Sequence, residues 1–309
     1  MSAGRVLSLP TDHCPLKYNV HAMQSMTTPL RRVLVCPPKN AGWNDPAKSG
    51  EWQALGFHHK PDFAKAQSAH DTLCQHLTDA GAEALALPPT PQLTLDAVYT
   101  HDSTLPTNDG LILMRPGKPN RIPEAQAQSE FLAQQEIATA AHIKPPATTE
   151  AGDIVWLDER TLLVGKGYRT NQAGIDQLQA ILAPHRVEVI KAPLPYGPGP
   201  SACLHLMSLM SMLDDQTILV DLPWLAVETV ELLRNRNFRI IEIDYEERDS
   251  LACNVLSLGA KRLIAIEENK KTNKRLQAAG FEVKTIEGAE LCINGSGGPT
   301  CLTRPLARD

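Results

Sequence analysis

One unit recurs five times along this 309-residue chain, and that repetition constrains its fold more than any other feature. An apolar strand-like run leads through a loop into a helical pattern and then a second, shorter strand. The first strands read "RRVLVCPP" (31–38), "GLILMRPG" (110–117), "TLLVGKGY" (161–168), "QTILVDLP" (216–223) and "KRLIAIEE" (261–268). The pieces that follow, such as "LCQHLTDAGAEALALP" and "LQAAGFEVKTIE", pass from helical spacing to short alternation. In the first and last unit a glycine stops the helix. A third strand-like segment lies between units: "LDAVYTHDS" (95–103), "EAGDIVWLDE" (150–159), "CLHLMSLMSML" (203–213) and "ACNVLSLGA" (252–260). A fifth, "GPTCLTRPL" (298–306), has no unit after it. It can complete the first unit only if the chain closes into a ring. The expected fold is therefore α/β and radial, five blades in a single domain over 1–309. A doubly wound sheet has much the same element order, and periodicity alone leaves both open.

Several function classes are excluded by composition. Hydrophobic residues make up 42% and charged residues 21%, as in ordinary globular proteins. The net charge is -5 with no basic tract, so nucleic acid is not an expected partner. No apolar run reaches the roughly 20 residues of a membrane span, and the N-terminus lacks a signal-peptide core. The expected address is the cytoplasm. Seven cysteines without a CxxC spacing fit neither a disulfide framework nor a zinc knuckle. The histidines form no metal spacing and no nucleotide-binding glycine motif is present, so neither metal nor cofactor is expected. Association into a homo-oligomer is left open. The first thirty residues, including Cys14, receive no role; Met23 and Met26 are expected to pack over an entrance.

Nearly all the reactive polar residues fall in the third segments: Asp96 and Asp102, Glu150 and Asp153, His205, Asn254, Cys301. If the units are related by rotation, these residues converge on one cleft. Cys301 follows a bend with Gly295, Gly297 and Gly298, whose backbone is free to approach a ligand. Its thiolate would be a nucleophile, and His205 could carry a proton at neutral pH. Asp96 and Asp102 are spaced to face one side of a strand. Buried acids there would repel one another unless a planar cation such as a guanidinium paired with them. Arg121 and Arg169, on loops after first strands, either bind a substrate carboxylate or form ordinary salt bridges.

With these residues assembled, the sequence resembles the guanidino-group-modifying superfamily, the penteins, whose members include dimethylargininases, arginine deiminases and amidinotransferases. The resemblance rests on "DAVYTHD", "RPGKPNR", "EAGDIVWL", "VGKGYRTN", "LHLMSLMSM", "ACNVLSL" and the terminal "GGPTCLT" together. It implies a five-bladed α/β propeller with pseudo-fivefold symmetry. By motif it implies Cys301 as nucleophile, His205 as general acid/base and Glu150 as the acid supporting both histidine and guanidinium. Asp102 would grip the guanidinium, Asp96 would add a second polar contact, and Arg121 and Arg169 would hold the amino-acid end. The implied activity is hydrolysis of a small guanidino substrate, most similar to dimethylargininase, releasing citrulline and an amine. Arginine deiminase and amidinotransferase are the neighbouring alternatives; a non-catalytic propeller that binds is the alternative of another class. Three positions depart from the pattern: Ala151, His101 and Met207. Met207 stands where arginine deiminases place an aspartate, and its apolar side chain would favour an alkylated nitrogen.

Overall fold

The computed structural model describes residues 24–197, 199–200 and 202–309. Cys14 and Met23 lie outside the described residues. The first blade comprises β1 (Leu30–Val35), the short helices α1 (Pro46–Ser49) and α2 (Trp52–Leu55), α3 (Phe63–Asp79) and β2 (Glu83–Ala86). The second runs β3 (Thr104–Thr107), β4 (Gly110–Leu113), α4 (Ile122–Ala133), β5 (Thr139–His142). The third runs β6 (Ile154–Asp158), β7 (Thr161–Lys166), α5 (Gln172–Leu182), β8 (Glu188–Pro193). The fourth is β9 (Met210–Met212), β10 (Thr217–Val220), α6 (Val227–Asn235), β11 (Arg239–Glu242). The fifth is β12 (Leu256–Gly259), β13 (Arg262–Ile266), α7 (Lys270–Ala278), β14 (Glu282–Ile286). The last strand, β15 (Arg304–Arg308), returns to the first blade.

The fold is a five-bladed α/β propeller. Each blade is a three-stranded sheet whose middle strand pairs antiparallel with the inner strand and parallel with the outer one. The parallel pair needs a crossover, and the helix of each blade supplies it. The orders β15-β1-β2 and β3-β4-β5 differ in one respect: the inner strand of the first blade comes from the far end of the chain. In its register Val33 faces Pro305 and Leu34 faces Arg304. This is the ring closure the leftover segment required.

Burial falls off from the axis outward. The inner strand β3 and the middle strand β10 are buried throughout, whereas β5 and β11 alternate or expose their ends. Every inner strand contributes residues to the wall of a single axial cavity, Leu105, Trp156, Ser211, Ser257 and Arg304 among them. Helices cover the blade flanks with an apolar face. In α3, Ala66, Ala69, His70, Leu73 and Leu77 are buried, spaced so that they share one side. Asp62 caps its first turn by accepting from the Lys65 amide, and Gly81 ends it at φ +89°. Burying Leu73 completely stabilises by about 1.5–3 kcal/mol. Met26 packs against the cores of the third and fourth blades and lines the axial cavity. Among the described residues no helix is long and apolar enough to cross a membrane.

Candidate active site

The chemistry-bearing residues sit in turns, not in strands. Leu95–Val98, Ala151–Asp153 and Leu206–Ser208 are single 3-10 turns just ahead of β3, β6 and β9. Asp102, Glu150, His205, Asn254 and Cys301 precede their inner strands by two to five residues, one per blade. The ring thus carries five non-contiguous segments to one end of the axis. Asp96 and Asp102 do not share a strand face as their spacing suggested; a 3-10 turn and a bend separate them.

Glu150, His205 and Asp102 form the centre. All are buried, and one ligand-type atom from each lies within 4.8 Å of the others. His205 Nε2 is 2.6 Å from Glu150 Oε2, and its Nδ1 is 4.0 Å from Asp102 Oδ1. Glu150 Oε1 also accepts from the Gly117 amide at 2.9 Å and from Arg169 Nη1 at 3.1 Å. Burial opposes ionisation of Glu150, but the hydrogen bond and charge of His205, helped by Arg169, hold it well below the usual carboxylate range. Burial likewise opposes the ionisation of Asp102, and His205 and Arg121 overcome it. His205 itself is pushed well above its ordinary value: burial works against its charge, while Cys203, Asp102 and Asp153 favour it. The resting group is an imidazolium clasped by acids. A divalent cation could span three such groups, but Asp102 and Glu150 each already hold a guanidinium.

Cys301 lies in the turn before β15. Its Sγ receives Asn254 Nδ2 at 3.1 Å, and Asn254 Oδ1 accepts from the Thr300 amide at 3.0 Å. Burial chiefly, then Asp102, pushes the thiol up to about 12; His205 and the asparagine pull the other way. The glycines ahead of it serve packing rather than anion binding. A Cβ on Gly297 would meet the Tyr99 ring at 2.5 Å, and one on Gly298 would meet Asn254 Oδ1 at 2.7 Å.

Arg121 turns inward. Its Nη1 donates to Asp102, its Nε and Nη2 to Glu124 at 2.9 and 2.8 Å, and Nη2 also to the Tyr99 carbonyl at 2.7 Å. At 4% exposure it has no face left for a substrate carboxylate, so that expected role is not open to it in this structure. Arg169 is different. Among the described residues only its Nη1 is engaged, on Glu150, and the side chain is partly open. Asp96 stands outside the central trio, neutralised by Lys118 Nζ at 2.7 Å and bonded to Asn120 Nδ2 at 2.8 Å. Met207 and His101 do not widen the cleft: both are buried and line the axial cavity.

Sequence reasoning missed Cys203. Although the residue is exposed, its sulfur rests 3.8 Å from His205 Nδ1. Burial would raise this thiol, but His205 and Arg169 bring it below its ordinary value. The "CLH" spacing was the available signal. It also missed the pairing of Arg121 with Glu124, visible only as an i,i+3 arginine–glutamate step in "RIPE". A cavity of about 400 Å³ is lined by Tyr168, Leu194, Tyr196 and Leu204 among others; Arg169 and His205 are not among the described residues that line it.

Fold and site together define a five-bladed α/β propeller with thiol, imidazole and paired acids at one end of its axis. The arginine deiminase family model matches residues 85–231 and 223–308. A dimethylarginine dimethylaminohydrolase from Pseudomonas aeruginosa is 28% identical over 79% of this chain and 89% of its own. An arginine deiminase of Mycobacterium avium is 27% identical over 69% of this chain and 60% of its own. The structure of the Pseudomonas aeruginosa enzyme, a cysteine-to-serine mutant complexed with citrulline, superposes with TM-score 0.72 at 25% identity, over 89% of this chain and 99% of that one. The chain belongs to the arginine deiminase family. It is a guanidino-modifying hydrolase, acting on the C–N bonds of linear amidines.

Proposed function

We propose that this protein hydrolyses an N-methylated, arginine-like guanidinium to a ureido product and an amine through a thiouronium on Cys301. The carrying observation is the buried Asp102–Glu150–His205 cluster, in which two ionised acids flank an imidazolium beside a thiol. Asp102 and Glu150 are acceptors for guanidinium N–H groups, and the substrate's charge lowers the Cys301 thiol from its resting height. The thiolate adds to the guanidinium carbon. His205 gives its Nδ1 or Nε2 proton to the departing amine as the C–N bond breaks, leaving the thiouronium. Neutral His205 then takes a proton from water as the oxygen adds to the same carbon. Collapse breaks the C–S bond and returns the thiolate. General acid/base help of this kind contributes about 10²–10⁴-fold.

Arg169 is the residue for the substrate's carboxylate, swinging from Glu150, while Arg121 positions Asp102. One feature favours a methylated substrate, the relatives named for dimethylarginine; Met207, buried in the wall of the axial cavity, does not bear on it. The lowered Cys203 thiol supports a second reading, in which that sulfur attacks. Incubation with dimethylarginine, with arginine and with arginine plus an acceptor amine, scored for citrulline or amidino transfer, decides among substrates. Mass mapping of the trapped adduct decides between thiols: a label on Cys203, or full turnover by Cys301→Ser, ends the proposed mechanism.

A further inference from the structure

A buried cation whose Nε has no hydrogen-bond partner among the described residues stands on the propeller axis. Arg304 opens β15, is 4% exposed and lines the axial cavity. Among the described residues its Nε has no hydrogen-bond partner, and the one acid that acts on it, Asp102, does so only through space. Arg308, one strand repeat further along, spends Nη1 on the Thr28 carbonyl at 2.6 Å and Nη2 on the Ser257 carbonyl at 2.9 Å, both neutral acceptors. Its Nε is also unpaired. The Trp156 indole N–H and the Thr300 hydroxyl, in the same wall, are unpaired as well.

The chemistry of this wall is one-sided. Among the described residues its orphans are three N–H donors and a hydroxyl, and no described carboxylate lines the cavity. Two guanidinium groups therefore share a buried space without a negative charge among them. Burial draws both arginines down to about 9, and Arg308 adds to the effect on Arg304. Both remain charged at neutral pH. Water could satisfy the N–H groups but could not neutralise them, and an uncompensated buried ion costs several kcal/mol. The cavity measures about 40 Å³. One water needs roughly 10–15 Å³ on this measure, so the space fits a monatomic anion and excludes anything as large as an amino acid.

We propose that the axial cavity is a binding site for one small inorganic monovalent anion of chloride size, held by Arg304 and Arg308. The bound charge neutralises β15, the strand that closes the ring. The site is separate from the catalytic cleft, since Cys301, Glu150 and His205 do not line it.

The test uses the full chain, dialysed exhaustively into gluconate and titrated with chloride at constant ionic strength. The midpoint of thermal unfolding should rise with the logarithm of chloride concentration above Kd, by about 5 °C at a hundredfold excess. Arg304→Met should abolish that response. Because the variant could fail to fold, crystals of the wild-type protein in bromide supply a second measurement: an anomalous peak in the axial cavity within hydrogen-bond reach of Arg304. No axial peak, or an identical chloride response in Arg304→Met, overturns the proposal.

Discussion

Asp153 is a buried acid that the reaction does not use, and its position beside His205 makes it measurable. Its Oδ1 accepts from the Leu206 amide at 3.0 Å, while Oδ2 has no hydrogen-bond partner among the described residues. Burial, only partly offset by His205, pushes the carboxyl from 3.8 up to about 6. The folded value lies above the unfolded one, so the folded state holds this proton more tightly. The resulting stability is complete below about pH 4 and is lost as pH rises through about 6. Asp153→Asn keeps the Leu206 bond and cannot ionise. Its stability relative to wild type should therefore rise by about 3 kcal/mol from pH 4 to pH 7.5, read by urea unfolding at both. Arg121 offers a second check at this scale. A lysine cannot reproduce a fork that reaches Asp102, Glu124 and Tyr99 at once. Arg121→Lys should lower kcat about 100-fold with a smaller change in KM, because Asp102 loses its aim rather than the substrate losing a contact. A role on the substrate carboxylate would show the reverse split. The residue types at Cys301, His205, Glu150 and Asp102 could be read from the chain because each sits in a distinctive local motif. Arg121 stayed open between a substrate contact and a salt bridge: an arginine on a loop points outward or inward according to what stands behind it, and Glu124 and Tyr99 decide that only in three dimensions.

Placement of these groups depends on short elements, the 3-10 turns ahead of the inner strands. Alternating apolar residues in "LDAVYTHDS" and "CLHLMSLMSML" suggested strand from the first residue onward. The structure instead winds one tight turn before each strand begins, at 95–98 and 206–208. Alternation and a single turn of helix are indistinguishable over three or four residues, so boundaries of this kind are lost to pattern reading. The inner, middle and outer strands themselves were legible because burial grades outward and leaves its mark on composition. The turn at 151–153 carries the sharpest prediction. Gly152 donates its amide to Asp102 Oδ1 at 3.0 Å, and a Cβ there would lie 2.6 Å from both Asp102 Oδ1 and His205 Nδ1. Its φ is not in the left-handed region, so alanine adds a methyl wedge rather than backbone strain. Gly152→Ala should cut kcat/KM by 100-fold or more while the thermal midpoint moves only a few degrees. Loss of folding in place of loss of rate would show that the turn serves packing and not the site.

The whole molecule is held as a ring by one strand pair that joins the two ends of the described chain. β1 and β15 pair antiparallel, the Asp309 amide donates to the Pro29 carbonyl at 3.0 Å, and Arg31 pairs with the Asp309 side chain. Leu306, 1% exposed, belongs to the first blade's core. A closed ring does not depend on where the chain is cut, provided that every blade keeps three strands. Two variants separate closure from connectivity. Deleting residues 304–309 removes the inner strand of one blade, strips β1 of a partner and exposes a core built around Leu34 and Leu306. Truncating even one such leucine costs about 2–5 kcal/mol against a total stability of about 5–15 kcal/mol, so the deletion should not yield a cooperative thermal transition. A circular permutant instead keeps the complete chain, joins Asp309 to Met1 through a flexible linker and opens at the exposed Asp215–Gln216 turn between β9 and β10. It preserves all five sheets and every catalytic turn. Its melting should stay cooperative and its turnover within about tenfold of the parent, since the new ends lie in a hairpin loop whose flanking strands remain hydrogen-bonded. A permutant as damaged as the deletion would mean that the order of folding along the chain, rather than closure of the ring, sets the stability of this propeller.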